Sequence, residues 1–265
     1  MNKREIIMQG NNLTRIFGYG KGKIIAVNNV SFEFKEREVV SIIGESGSGK
    51  TTLARILLGL LKPTRGDFLF KGEKVNISSF KKRRAYWQNV QAIFQDPFSS
   101  FNQFYRVEKV LQDCLNLKGL KLSREERYSR MQDACRFVNM EFDELYNKYP
   151  FELSGGQMQR LMIARIFMLN PNLLIADEPT TMIDACSRST IMEMLLKLRD
   201  KNNMTVLFIT HDLGLAYYIS DTIYIMKHGR IIESGKAKSI ITNPQNPDTK
   251  KLLDDVPKLH EEWNL

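Results

Sequence analysis

Short apolar runs rich in β-branched residues alternate along this chain with longer stretches whose apolar positions recur at helical spacing. Val39-Val40-Ser41-Ile42-Ile43 reads as a buried strand, and Thr51–Leu58 behind it has the spacing of a helix. The same pattern predicts strands at Val90–Phe94, at Asn172–Ala176 and at Thr205–Ile209. A helix is expected from Gln157, with Leu161, Ile163, Ala164 and Phe167 spaced for burial, and another in the charged, periodic run Leu122–Met140. Pro150, Pro171 and Pro179 fall at element boundaries. Strands separated by helices imply a mostly parallel sheet with right-handed crossovers. The expected fold class is α/β, with a mostly parallel core, an N-terminal antiparallel β portion and an inserted α-helical subdomain. One domain is expected over 1–265: core at 1–95 and 150–235, helical insertion at 96–149, and a short C-terminal extension at 236–265.

Between the first strand and its helix stands Gly44-Glu-Ser-Gly-Ser-Gly-Lys50-Thr51, the Gly-x-x-x-x-Gly-Lys-[Ser/Thr] pattern of a phosphate-binding nest. Glycines at 44, 47 and 49 are expected to let the backbone approach oxyanions, and the new helix adds its unsatisfied amides and positive dipole end. Ser46, Ser48 and Thr52 complete the loop. Lys50 is expected at the β- and γ-phosphates and the Thr51 hydroxyl on Mg²⁺.

The strand before Asp177-Glu178-Pro179 ends in two carboxylates, at the sheet end where parallel α/β folds bind ligands. Asp177 is expected in the metal shell, and Glu178, diverging from it as neighbours in an extended segment do, as the base for an attacking water. The strand Thr205–Ile209 runs into Thr210-His211-Asp212, which makes His211 a candidate γ-phosphate contact. Gln95 follows Val90–Phe94 as an uncharged amide able to touch metal and water.

Leu153-Ser154-Gly155-Gly156-Gln157 opens the next helix as a second anion-binding start. Here the chain resembles the ABC-transporter ATPase family over nearly all its length. The resemblance implies ATP and Mg²⁺ as ligands, Gly44–Thr52 as phosphate loop, Gln95 as Q-loop glutamine and Asp177 and Glu178 as metal-shell aspartate and catalytic glutamate. It also implies His211 as switch histidine, and Ser154–Gln157 as the signature completing the site of a second cassette. Asp184 keeps the D-loop aspartate, although Met182 departs from the small residue usual there. Phe17 matches the ring that stacks on adenine, with Tyr19 as the competing candidate.

Gln95-Asp96-Pro97-Phe98-Ser99-Ser100-Phe101-Asn102 is similar to the run found in dipeptide, oligopeptide and nickel importer ATPases, and Asn243–Lys250 followed by Leu252–Pro257 resembles their tail, with Asp248 in place of the usual Tyr. Implied partners are a second cassette, membrane permease subunits and, indirectly, an extracellular substrate-binding protein. Phe98, Phe101, Phe104 and Tyr105 are either the lining of a groove for a permease helix or local core. The implied location is the cytoplasmic face of the membrane. Exporter ATPases and soluble cassettes acting on nucleic acid are the rival readings.

Composition changes this picture little. The 265 residues are 43% hydrophobic and 26% charged, and no segment approaches the ~20 apolar residues of a membrane span. The net charge of +9 and the run Lys81–Arg84 admit nucleic acid, but a solvated basic helix start is the expectation and no nucleic acid is expected as partner. Cys114, Cys135 and Cys186 lack metal or disulfide spacing and are expected as reduced thiols, with no cysteine cluster for an iron–sulfur centre.

Overall fold

The computed structural model describes residues 4–254, without the side chains of residues 21, 185 and 186. The expectation on the Cys186 side chain, and the part of the Leu252–Pro257 resemblance beyond residue 254, lie outside the described residues. In chain order the elements are β1 (Ile6–Phe17), β2 (Ile24–Lys35), β3 (Val39–Ile43), α1 (Lys50–Leu57), β4 (Arg65–Phe70), β5 (Glu73–Lys74), α2 (Phe80–Trp87) and β6 (Val90–Ile93). Next come α3 (Val107–Lys118), α4 (Arg124–Phe137), α5 (Phe142–Leu145), α6 (Gly155–Leu169), β7 (Leu173–Asp177) and α7 (Ala185–Asn202). The chain ends with β8 (Thr205–Thr210), α8 (Leu213–Ile219), β9 (Thr222–Lys227), β10 (Arg230–Lys236), α9 (Ala237–Thr242) and α10 (Pro247–Asp254).

These elements divide into two units, residues 4–76 with 205–254, and residues 77–204. In the first, an antiparallel sheet runs β2-β1-β4-β5, while β3 lies between β8 and β9 and is parallel to both, with β10 antiparallel on β9. β3 is buried at every position, as a strand covered on both faces must be. Ser41 within it is hydrogen-bonded to Ser220. Helix α1 buries Leu53, Ala54, Ile56 and Leu57 and stops at Gly59, whose φ of 70° suits the left-handed residue that ends a helix. The pairing of β1 with β2 is irregular, with register shifts between Gly10 and Leu13 and again at Arg15.

The second unit pairs β6 in parallel with β7, Ile93 opposite Ala176, and is otherwise helical. Leu161, Ile163 and Ala164 of α6 are fully buried as their spacing predicts, and Phe167 stacks on Phe137 of α4 at 4.5 Å between ring centres. Truncating a core residue such as Leu161 to alanine removes about 2–5 kcal/mol. The charged run predicted as helical becomes α4, entered through a reciprocal cap between Ser123 and Glu126. Lys81–Arg84 are exposed on α2, as a solvated basic helix start should be, and Arg84 donates to the Asn116 and Leu117 carbonyls at the end of α3. Cys114 and Cys135 are free and buried, and burial pushes both thiols up, Cys135 to about 12, so neither is a ready nucleophile.

Candidate functional site: two glycine-bearing helix starts

In the first unit β3 delivers the chain to Gly44 and α1 begins at Lys50. Gly49 is its N-cap at φ 104°, and no side chain caps the helix amides. As a glycine, Gly49 brings no side-chain oxygen of its own over the helix start. A Cβ on Gly44 would lie 2.1 Å from the Met226 carbonyl oxygen, and one on Gly49 would lie 2.2 Å from that of Ala26. Gly47 has nothing within 4 Å of such an atom, but its φ is 78°. The loop glycines are not equivalent within the fold: 44 and 49 let the loop press against β9 and β2, while 47 makes its outer turn.

Lys50 is only 5% exposed, and its Nζ donates to Gly44 O at 2.6 Å, Glu45 O at 2.8 Å and Ser48 Oγ at 3.4 Å. These three acceptors are dipoles rather than carboxylates, and they solvate the ammonium beneath the loop. Ser46 and Thr51 are exposed and Thr52 half-buried. Ile43 pairs with Thr210, so the phosphate loop and His211 leave neighbouring parallel strands at the same end. His211 is exposed, between Thr210, whose Oγ accepts from the Asp212 amide at 2.9 Å, and Asp212, which caps α8.

Phe17 ends β1 opposite Ile24, two residues before the Ala26 that touches Gly49. It is half-buried, and the Arg15 guanidinium covers one ring face at 4.7 Å from the centroid. Tyr19 is 96% exposed, so neither ring is core.

In the second unit, Gln95 and Asp177 stand at the carboxyl ends of the paired strands β6 and β7. Gln95 is exposed and Asp177 only 4% exposed. Glu178 is not extended, as expected from strand alternation, but left-handed at φ 49°. This conformation costs about 1–2 kcal/mol for a residue with a Cβ. Glu178 Oε2 accepts from the Thr181 hydroxyl at 2.9 Å.

Ser154 Oγ caps α6 by accepting from the Gln157 backbone N–H at 3.2 Å, and Gln157 Oε1 in turn accepts from the Ser154 backbone N–H at 2.9 Å. The start of α6 meets the segment after β7: Cβ atoms on Gly155 and Gly156 would sit 3.5 Å from Met182 O and 3.8 Å from Ser187 Oγ, both ordinary contacts. Asp184 caps α7, accepting from the Ser187 amide at 2.9 Å and hydroxyl at 2.8 Å. Arg160 ties α6 to the Asn139 carbonyl at 3.2 Å.

The aromatic residues after Gln95 divide. Phe101 is buried, with the Arg165 guanidinium 5.2 Å from its ring centre, whereas Phe98, Phe104 and Tyr105 are exposed. Phe101, Tyr105, Asp113, Cys114 and Arg165 help line a cavity of about 270 Å³. Sequence reasoning missed the contributions of Ala26, Met226 and Gly229 to the phosphate loop. Only Gly229, in the His228–Gly229 pair between two apolar runs, left a local turn signal.

A helix start kept uncapped above a buried ammonium is suited to a polyphosphate, and this makes the first unit a nucleotide-binding α/β core. Residues 27–181 match the ABC transporter family, and the chain belongs to it. It is 38% identical over 260 residues to the dipeptide transport ATP-binding protein DppF of Lactococcus lactis, covering 97% of this chain and 83% of that one. It is also 38% identical to the oligopeptide transport ATP-binding protein AmiF of Streptococcus pneumoniae, over 91% of this chain and 78% of that one. Among solved structures it is similar to the post-hydrolysis dimer of the ATP-binding cassette MJ0796 bound to ADP and Pi, with a TM-score of 0.79 and 30% identity over 87% of this chain and 99% of that one. The protein is thus an ATP-binding and ATP-hydrolysing cassette of an ABC transporter. Among the described residues no helix is long and apolar enough to cross a membrane.

Proposed function

We propose that this chain powers a peptide importer from the cytoplasmic face of the membrane, held there through permease subunits that an extracellular binding protein supplies with substrate. The observation that carries this reading is the similarity along almost the whole chain to proteins named for dipeptide and oligopeptide transport. It favours peptides over the nickel or metal chelates that the sequence alone left open, and it supports an importer over an exporter or a nucleic-acid-acting ATPase.

Carried over residue by residue, the family resemblance assigns roles that the local geometry suits. Lys50 exchanges carbonyl dipoles for the β- and γ-phosphates, and the loop amides of Gly44–Thr52 hold their oxygens. Phe17, with one face already covered by Arg15, offers its other face to adenine. Thr51, Gln95 and Asp177 supply a hydroxyl, an amide and a carboxylate oxygen, the hard donors Mg²⁺ prefers, and would hold it together with phosphate oxygens and water. When bound, Mg²⁺ neutralises developing charge on the phosphates. Glu178 takes the proton of the attacking water, and His211 contacts the γ-phosphate. Ser154–Gln157, with Asp184 behind them, belong to a site on a second cassette, either a copy or a homologue. The hydroxyl of Ser154 accepts within its own cap and can still donate outward. The exposed aromatics Phe98, Phe104 and Tyr105, beside the cavity at Arg165, are the surface offered to the permease.

Replacing Glu178 by Gln tests the chemistry directly. Loss of a general base costs about 10²–10⁴-fold in rate, so Glu178→Gln should bind ATP, turn over poorly and accumulate ATP-bound dimers. Normal steady-state hydrolysis by this variant would remove Glu178 from the role of base.

A further inference from the structure

The β9–β10 connection consists of His228 and Gly229, at φ 47° and 77°, with Lys227 and Arg230 paired across it. Two consecutive left-handed residues make this a type I′ hairpin. Gly229 is held on both sides: its amide donates to Ser48 O at 2.9 Å, and its carbonyl accepts from the Asn28 amide at 2.8 Å. On the preceding strand Met226 turns its carbonyl against Gly44, leaving no room for a Cβ there. A peptide is planar and trans, so its carbonyl and the following N–H point in opposite directions. With the Ser48 carbonyl fixed on Gly229, the Gly49 N–H is therefore aimed away from the hairpin.

Lys227, the last residue of β9, pairs with Asp248 of α10 at 2.6 Å. Hydrogen bonding to Asp248 raises the pKa of its ammonium, and the Glu45 carboxylate of the phosphate loop adds to this. Asp248 is the position at which the tail departs from the resemblance drawn from its sequence.

We infer that the His228–Gly229 turn is a positioning element for the phosphate loop, orienting the Ser48–Gly49 peptide for ATP, and that the Lys227–Asp248 pair couples the C-terminal helix to it. This rests on the phosphate loop being the ATP site.

The test is a fluorescence titration of the full-length chain with mant-ATP, reading dissociation constant and stoichiometry separately. A folding defect lowers stoichiometry, whereas a misoriented loop raises the constant. Gly229→Ala adds a Cβ 3.0 Å from Ala26 O at a left-handed φ and should weaken binding about tenfold, equivalent to ~1.4 kcal/mol, at full stoichiometry. Gly229→Asn, which tolerates that φ, should weaken it less. Asp248→Asn should weaken it about twofold, as an exposed ion pair allows. Gly235→Ala in β10, where a Cβ would make an ordinary 3.4 Å contact with Ile240, should change nothing. Unchanged constants in both Gly229 variants, lost stoichiometry alone, or failure of both to fold would overturn the proposal. Failure of the unmodified protein to bind mant-ATP would instead count against the ATP site itself.

Discussion

At the start of α1 the N-cap is Gly49, at φ 104° with no side chain over the helix amides, whereas at the start of α6 Ser154 and Gln157 cap each other. The glycines differ in the same sense. Gly44 and Gly49 are fixed by contacts with Met226 O and Ala26 O, too close for any Cβ. Gly155 and Gly156 have ordinary helical φ and room for a methyl. The phosphate loop is thus shaped by its own unit, and its helix starts without a side-chain cap. Among the described residues none stands closer than an ordinary contact to a Cβ on either signature glycine, and glycine in a helix costs about 0.5–1 kcal/mol relative to alanine. Their reason is best sought in what approaches that helix start from outside, which accords with a nucleotide on a second cassette.

The most damaging way to probe this difference is Gly49→Ala. A Cβ 2.2 Å from backbone at a left-handed φ should destabilise the protein by about 2–4 kcal/mol, read by denaturant unfolding, and abolish ATP binding with it. Gly156→Ala should do the opposite to stability, raising it by about 0.5–1 kcal/mol, while ATP turnover falls about tenfold or more because a methyl stands where phosphate would approach. A variant that lost stability and activity together would erase the contrast between the two helix starts. Ser154→Ala, less damaging to the fold than Gly49→Ala, should cost about 1 kcal/mol through the lost cap, measurable as a lower midpoint in the same unfolding experiment.

The sequence was most informative where chemistry and local pattern coincide. Val39–Ile43 with Gly44–Thr52, and the apolar strand before Asp177-Glu178, are legible because strand, turn and functional group lie within a few residues of one another. The helix start at Ser154 was legible for the same reason, whereas its reciprocal cap with Gln157, three residues on, was not part of that reading. The left-handed Glu178 was not, because glycine is the usual marker of that conformation and a glutamate carries no such mark. Nor was the clasp on Ser48, which joins residues 181 positions apart in the chain, from Ser48 to Gly229. Phe101 and Phe104 look alike in sequence, yet one is buried and the other 88% exposed, because packing beneath Arg165 selects between them.

Ser154→Asp in a Glu178→Gln background separates the two jobs of the signature serine. Aspartate caps a helix as well as serine and suits its dipole, but it carries negative charge toward any approaching phosphate. Light scattering with and without ATP, alongside thermal unfolding, should show an ATP-dependent dimer for Glu178→Gln and a monomer for the double variant, at equal or higher melting temperature. A double variant that dimerises with ATP as readily as Glu178→Gln would contradict the claim that the start of α6 is built for a nucleotide held by a second cassette.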